Sequence, residues 1–276
     1  MPGPRALREL RLVNGSTGDP ALFVDDPGRD NALLFDCGEN AALADDRLAD
    51  LEAVFLTHHH IDHFIGFDRI LRANIDRDKA LHVHGPEGTI RKVYQRIKSY
   101  EFPFFPFQKI VLEVVEIGPD RLRRARLECA RRFPRPRPIE SPRSGPIVYR
   151  SDGLCVEAAL ADHTVPCLSY ALVEGSAESP DARIAYVTDT AWSESSRPGL
   201  LGLAQGARRL YCDAFYADAQ RAQAEKYRHM TASQAAEFAR EAGVEELVLI
   251  HFASRYRGTY QTLVDEARAI FPNTIA

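Results

Sequence analysis

Long apolar runs are missing from this chain. No stretch approaches the roughly 18 uninterrupted apolar residues of a membrane span, and the opening Met1-Pro2-Gly3-Pro4-Arg5 leads into a strand-like run with no apolar targeting core. Neither membrane insertion nor signal-directed secretion is expected. An excess of one charge is missing too: 35 Lys and Arg stand against 39 Asp and Glu, a net charge of −4. That balance excludes a surface built throughout to coat polyanions and leaves room for a local basic patch. Cysteine is sparse. The five residues Cys37, Cys129, Cys155, Cys167 and Cys212 are odd in number and never spaced as CxxC, which predicts reduced, buried thiols in a cytoplasmic protein rather than a disulfide framework. Low-complexity linkers and fixed-period repeats are absent, so residues 1–276 read as a single domain. A chain of this length buries enough core to fold without a metal, and any metal site it carries therefore serves chemistry.

What is present is an alternation of strands and helices. Buried β-branched runs mark strands at Ala53 to Thr57, Lys109 to Ile117, Leu154 to Leu160, Leu168 to Val173, Arg183 to Thr188 and Glu246 to Ile250. Helical periodicity marks Asp62 to Ile75, Gly88 to Lys98, Ala217 to Tyr227 and Tyr260 to Ile270. A further helix follows Thr231, where Thr231-Ala232-Ser233-Gln234 has capping-box spacing and Gly243 supplies the stop. The class is α/β with layered sheets.

Residues 100–146 break this pattern and read as an insertion. Five aromatics fall within Tyr100 to Phe107, serving as core filling, a pocket wall or a partner contact. Arg121 to Arg143 then holds nine Arg against Glu128 and Glu140, a net of +7, so the rest of the chain sums to −11. Pro134, Pro136, Pro138 and Pro142 lie in the same stretch and predict an extended arm without regular structure in its second half.

The chemistry concentrates after the first of these strands. His58-His59-His60-Ile61-Asp62-His63 gathers four imidazoles and a carboxylate in one loop at a strand end. His58 and His60 share one side of an extended segment, and Asp62 and His63 reach a neighbouring point. Neutral imidazole and carboxylate suit zinc and similar divalent ions. His163, Asp189 and His251 recur at the ends of later strands, and this repeated placement points to a dinuclear metal site. His59 alternates away from its neighbours. His82 and His84 share a strand face and read as packing, and Asp36 and Glu39 read as turn anchors, with a hydrogen bond to the metal loop also open to them.

On these residues the sequence resembles the metallo-β-lactamase superfamily, whose HxHxDH motif is matched by His58, His60, Asp62 and His63. It is most similar to the ribonuclease Z branch, through Leu33 to Glu39, His163 to Pro166 with Tyr170, Val187 to Thr190, Tyr227 to Ala236 and His251 to Tyr256. The resemblance implies a four-layer αββα sandwich of two mixed β-sheets flanked by helices. It implies that His58, His60 and His163 hold one divalent ion, that Asp62, His63 and His251 hold the other, and that Asp189 and a hydroxide bridge them. Zinc suits the set, and manganese or iron also fit its mixed donors. Catalytic roles fall to Asp62, to His229 as the group assisting the leaving oxygen, and to Asp213, standing where the branch has a glutamate that supports that histidine.

The chain departs from the branch in one respect. Enzymes of that branch that cleave precursor tRNA carry a long tRNA-gripping arm between the third ligand motif and the bridging aspartate, whereas only 26 positions (189 − 163) separate His163 from Asp189 here. The favoured expectation is a phosphodiesterase attacking phosphorus in a small or nucleotide phosphodiester, with the basic and Phe-Pro segments closing over the site. RNA is the less favoured substrate, and tRNA 3′-processing is the runner-up, with Arg121 to Arg143 as a relocated arm. Hydrolysis of a lactone, thioester or β-lactam is a second class, against which the His229 segment argues. A non-catalytic metal-bearing module is a third. A homodimer is expected from the exposed aromatics and the superfamily's habit.

Overall fold

The structure, a computed structural model, describes residues 9–26, 31–102, 107–151, 153–175 and 180–276. They fall into two compact units, one of residues up to Asn14 with Asp19–Arg143, the other of Gly15–Gly18 with Ser144–Ala276. Among the described residues no helix is long and apolar enough to cross a membrane.

The first unit is built on an eight-stranded mixed sheet in sequential order. Its strands are β1 (Glu9–Leu12), β2 (Leu22–Asp26), β3 (Asn31–Phe35), β4 (Leu51–Phe55), β5 (Ala80–Pro86), β6 (Val111–Ile117), β7 (Arg121–Glu128) and β8 (Ile139–Pro142). Strands β3 to β6 run parallel, and antiparallel pairs flank them. Helices α1 (Asp45–Ala49), α2 (Ile61–Phe64), α3 (Phe67–Ala73) and α4 (Thr89–Lys98) accompany it. Helix α4 turns Ile90, Val93 and Ile97, an i, i+3, i+7 stripe, into a core with Val83, Leu112 and Val114.

The helix expected over Asp62 to Ile75 is two helices. At the break, a Cβ on Gly66 would lie 2.1 Å from the Gly38 carbonyl oxygen and 2.5 Å from Asn40 Nδ2. Two stretches of backbone meet there, and only glycine permits the approach. The arm expected over Arg121 to Arg143 is also corrected. Its first third is β7, paired antiparallel with β6, and its end is β8, paired with β7. Carboxylates on the neighbouring strands explain the difference: Glu116 meets Arg123 at 2.8 Å, Glu113 meets Arg126, and Glu140 meets both Arg121 and Arg123. Arg121, Arg123 and Arg126 are thus cross-strand partners. Of the aromatic run, residues 103–106 lie outside the described residues. Phe102 packs on buried Phe133, with ring centroids 5.1 Å apart, and Phe107 is exposed.

The second unit carries a seven-stranded mixed sheet of β9 (Ile147–Ser151), β10 (Leu154–Ala161), β11 (Cys167–Gly175), β12 (Pro180–Val187), β13 (Arg209–Asp213), β14 (Glu246–Ile250) and β15 (Thr274–Ile275), again in sequential order. Strands β12 to β15 are parallel. Helices α5 (Arg197–Ala204), α6 (Arg221–Tyr227), α7 (Ala232–Ala242) and α8 (Gln261–Arg268) complete it. Helix α7 begins at the expected Thr231–Gln234 capping box and ends at Gly243, whose φ is +63°. Its Phe238 packs on Trp192 with centroids 4.8 Å apart.

Candidate metal centre

In the first unit the motif loop leaves the end of β4. Asp36, immediately after β3, adopts a left-handed φ of +56°, a conformation costly for a residue with a Cβ. That turn aims its buried carboxylate at the loop. Oδ1 accepts the Thr57 backbone N–H at 2.7 Å, and Oδ2 lies 2.9 Å from His63 Nδ1. Thr57 Oγ1 reaches the same carboxylate and lies 3.1 Å from His58 Nδ1. The His58 ring is 4.4 Å from that of His60 and 4.1 Å from that of His63, centroid to centroid.

This arrangement fits a cation. With its Nδ1 proton given to Asp36, the buried His63 turns the lone pair of Nε2 toward Asp62 Oδ2, 3.6 Å away. An acceptor lone pair and a carboxylate oxygen facing each other repel unless positive charge lies between them, and a carboxylate behind the second nitrogen is the usual outer support of a ligating histidine. Asp36, read in the sequence as a turn anchor, does both.

His59 turns elsewhere: its Nε2 lies 3.0 Å from Thr89 Oγ1. Burial first, then the nearby Lys92 and Arg91 charges, lower its pKa to about 3. His84 stacks on Phe55 at 5.0 Å, and burial takes its pKa to about 3 as well. The five cysteines are buried thiols, and burial pushes Cys37 and Cys212 well above their ordinary pKa.

In the second unit three parallel strands deliver three residues to one sheet edge: β12 leads to Asp189, β13 ends at Asp213 and β14 leads to His251. Asp189 and His251 take left-handed φ values of +40° and +60°. Asp189, His229 and His251 offer donor atoms within 4.8 Å of one another. Asp189 Oδ1 lies 3.0 Å from His251 Nδ1, and Oδ2 lies 3.7 Å from His163 Nε2 and 4.0 Å from His229 Nε2. His163 is oriented from behind by the Arg228 carbonyl, 3.0 Å from its Nδ1. Arg228 caps α6 with φ +59°. A carboxylate ringed by three imidazoles, of which His163 and His229 have their outer nitrogens engaged, is again a cation's donor set.

Asp213 meets His229 directly, Oδ2 to Nδ1 at 2.9 Å, and also lies 3.3 Å from the Met230 backbone N–H. Burial alone would lower the pKa of His229, but the Asp213 charge and hydrogen bond, aided by Asp189, outweigh it and raise the pKa. Burial alone would raise Asp213, and His229 with His251 reverses that shift. The pair favours carboxylate and imidazolium, the form that can donate a proton.

Phe215 escaped the sequence reading. Its ring stacks on His229 at 4.3 Å and lies 5.1 Å from His251. Its place two residues past Asp213 at a strand end was the available signal. Thr57 and the Arg228 carbonyl gave no signal by residue type.

The family described as "Beta-lactamase superfamily domain" matches residues 26–252. The chain is 28% identical to a protein named Ribonuclease Z from Deinococcus radiodurans over 95% of each chain. It is 30% identical to one of the same name from Porphyromonas gingivalis, over 90% of this chain and 88% of the relative. A crystal structure of human tRNase Z, short form, superposes with a TM-score of 0.64 at 20% identity, covering 91% of this chain and 93% of that one.

Proposed function

From the premise that the chain belongs to the metallo-β-lactamase superfamily and is a ribonuclease Z-like, metal-dependent hydrolase, we propose that its two donor sets serve one dinuclear centre that hydrolyses a nucleotide phosphodiester at phosphorus. His58, His60 and His163 would hold one ion, Asp62, His63 and His251 would hold the other, and Asp189 would be shared by the two. Zinc fits the donors, with manganese and iron as alternatives. When bound, such ions would supply Lewis acidity, lowering the pKa of solvent toward about 7 and stabilising charge that develops on the phosphodiester.

The observation that carries the choice of phosphorus is the Asp213–His229 pair. His229, protonated and held at Nδ1, presents its Nε2 proton to the oxygen that departs, and Asp213 keeps the ring oriented and charged. Phe215 excludes water from one face of that ring. Asp36 and Thr57 fix the rings of His58 and His63, and the Arg228 carbonyl fixes that of His163. Hydrolysis at the carbon of a lactone or β-lactam has no need of this extra acid.

A second reading, 3′-processing of precursor tRNA, is favoured by the relatives named Ribonuclease Z. Against it stands the short path from His163 to Asp189, where β11 and β12 pair as a hairpin. The protein works in the cytoplasm, in keeping with its free thiols, and as a homodimer, in keeping with exposed Phe107 and Ile139.

The test sets bis(p-nitrophenyl) phosphate against a lactone and a β-lactam, with metal content measured on the same sample. Turnover of the diester alone, with close to two metals per chain, is expected. Turnover only at carbon would overturn the assignment. His229→Ala should cut kcat by about 100-fold or more while metal content holds, and equal loss of both would make His229 structural. A 3′-extended tRNA precursor decides the second reading, and light scattering decides the dimer.

A further inference from the structure

Helix α6 ends on a residue type that its geometry does not favour. Arg228 takes a left-handed φ of +59°, and the next backbone N–H, that of His229, donates to the Ala224 carbonyl at 2.9 Å. This is the closing bond of a helix stop that favours glycine, where a Cβ is costly. The turn aims two groups of Arg228 at the segment that follows β10. Its carbonyl oxygen lies 3.0 Å from His163 Nδ1, and its Nη1 donates to Asp162 Oδ2 at 2.8 Å. One residue thus grips two consecutive residues. A single hydrogen bond leaves two segments free to pivot about it, whereas a second, from the same residue to the neighbouring side chain, removes that freedom.

Asp162 passes the constraint on. Its backbone N–H donates to Thr190 Oγ1 at 3.0 Å, and its carbonyl accepts the Ala191 N–H at 2.9 Å. In each of the three segments a linked residue stands next to one of the site's side chains: Asp162 before His163, Thr190 after Asp189, Arg228 before His229. The rings of His163 and His229 accordingly meet at 5.2 Å, centroid to centroid, with Asp189 Oδ2 within 4.0 Å of the Nε2 of each. The Arg228 and Asp162 side chains are 48% and 20% exposed, and an ion pair so open adds little to global stability. What it can set is orientation.

We propose that Arg228 is a positioning residue, whose carbonyl and guanidinium together lock the turn bearing His229 onto the His163–Asp189 donor pair. Metal retention and turnover then depend on one exposed contact with Asp162. This role rests on the reading of hydrolysis at phosphorus and explains how its acid and its donors are held in register.

The test compares the zinc-loaded full chain with four variants in chelator competition, in kcat and KM on bis(p-nitrophenyl) phosphate, and in thermal melts with chelator. Glycine at position 228 suits the left-handed turn, so Arg228→Gly deletes the guanidinium and leaves the carbonyl in place. It should weaken metal retention about tenfold and lower kcat about tenfold with KM little changed, while the melt of the chelated chain hardly moves. Asp162→Ala should do the same. Arg228→Gly/Asp162→Ala should be no worse than either single change, because both remove one contact. Arg228→Lys should restore metal retention and kcat, since the contact is made through one nitrogen. Unchanged metal retention and kcat in Arg228→Gly, losses that multiply in the double variant, no rescue by lysine, or a parent chain that holds no metal would each overturn the role. A parent chain that holds metal, with the expected order across the variants, yet leaves the diester intact breaks the reading of hydrolysis instead. Full metal retention and turnover in every variant breaks only the positioning role, so the two failures are distinguishable.

Discussion

Asp213 and His229 show how one carbon of side-chain length can be absorbed. At the end of β13 a carboxylate one methylene shorter than the expected glutamate still reaches His229 Nδ1 at 2.9 Å. Because the pair raises the pKa of His229, the protonated acid survives to higher pH than a lone imidazole would allow. Asp213→Asn is therefore expected to move the alkaline limb of the kcat/KM profile to lower pH and to lower the plateau by about tenfold or more. A profile with an unmoved alkaline limb would show that His229 does not titrate in that limb. Asp36→Ala acts on the other donor set. Without the carboxylate behind His63, metal affinity should fall about 10–100-fold, which competition with a chelator reads directly. The contiguous His58–His63 motif was legible because its donor residues share one loop. Thr57, Phe215 and the Arg228 carbonyl were not, because their roles come from contacts with residues far off in the chain and their types are common everywhere.

At the scale of elements, close approach matters more than periodicity. The apolar spacing over Asp62 to Ile75 is helical throughout, yet Gly66 must admit the Gly38 carbonyl, and the segment divides into α2 and α3. Gly66→Ala should destabilise the protein by about 1–3 kcal/mol and, by displacing the turn that follows the motif, loosen metal binding. Thermal melts with and without chelator separate the two effects, and an unshifted melt would show that the backbone gives way at little cost. Helix α7 is the contrary case: its capping box, small buried face and terminal glycine all lie within one short stretch, so its ends were readable from sequence. The Arg-rich strand failed for a definable reason. Local composition reports charge density, whereas Glu113, Glu116 and Glu140, which turn that charge into cross-strand pairing, come from other strands.

For the molecule as a whole, alternating strands and helices gave the class, and the order of strands in each sheet was not written in any local pattern. Both sheets nevertheless follow sequence order, and the motif loop, Asp189 and His251 leave the ends of strands in the parallel part of their sheets, where turns are free to vary, while His163 follows the antiparallel β10. Deep burial of ionisable groups brings a global consequence. His84 is buried and stacked on Phe55, and its pKa is lowered to about 3, against about 6.5 in an unfolded chain. Below the unfolded value the denatured state takes up a proton that the folded state refuses, so stability is complete above pH of about 6.5 and declines as pH falls toward 3. One such group contributes a slope approaching ~1.4 kcal/mol per pH unit across that window. His84→Phe keeps the stacking and removes the titration. With chelator present throughout, so that metal release adds nothing, urea unfolding of the variant should lose about one proton from the acid slope between pH of about 6 and about 4. If the variant declines as steeply as the parent, the acid sensitivity belongs to other groups and His84 is protonated within the fold.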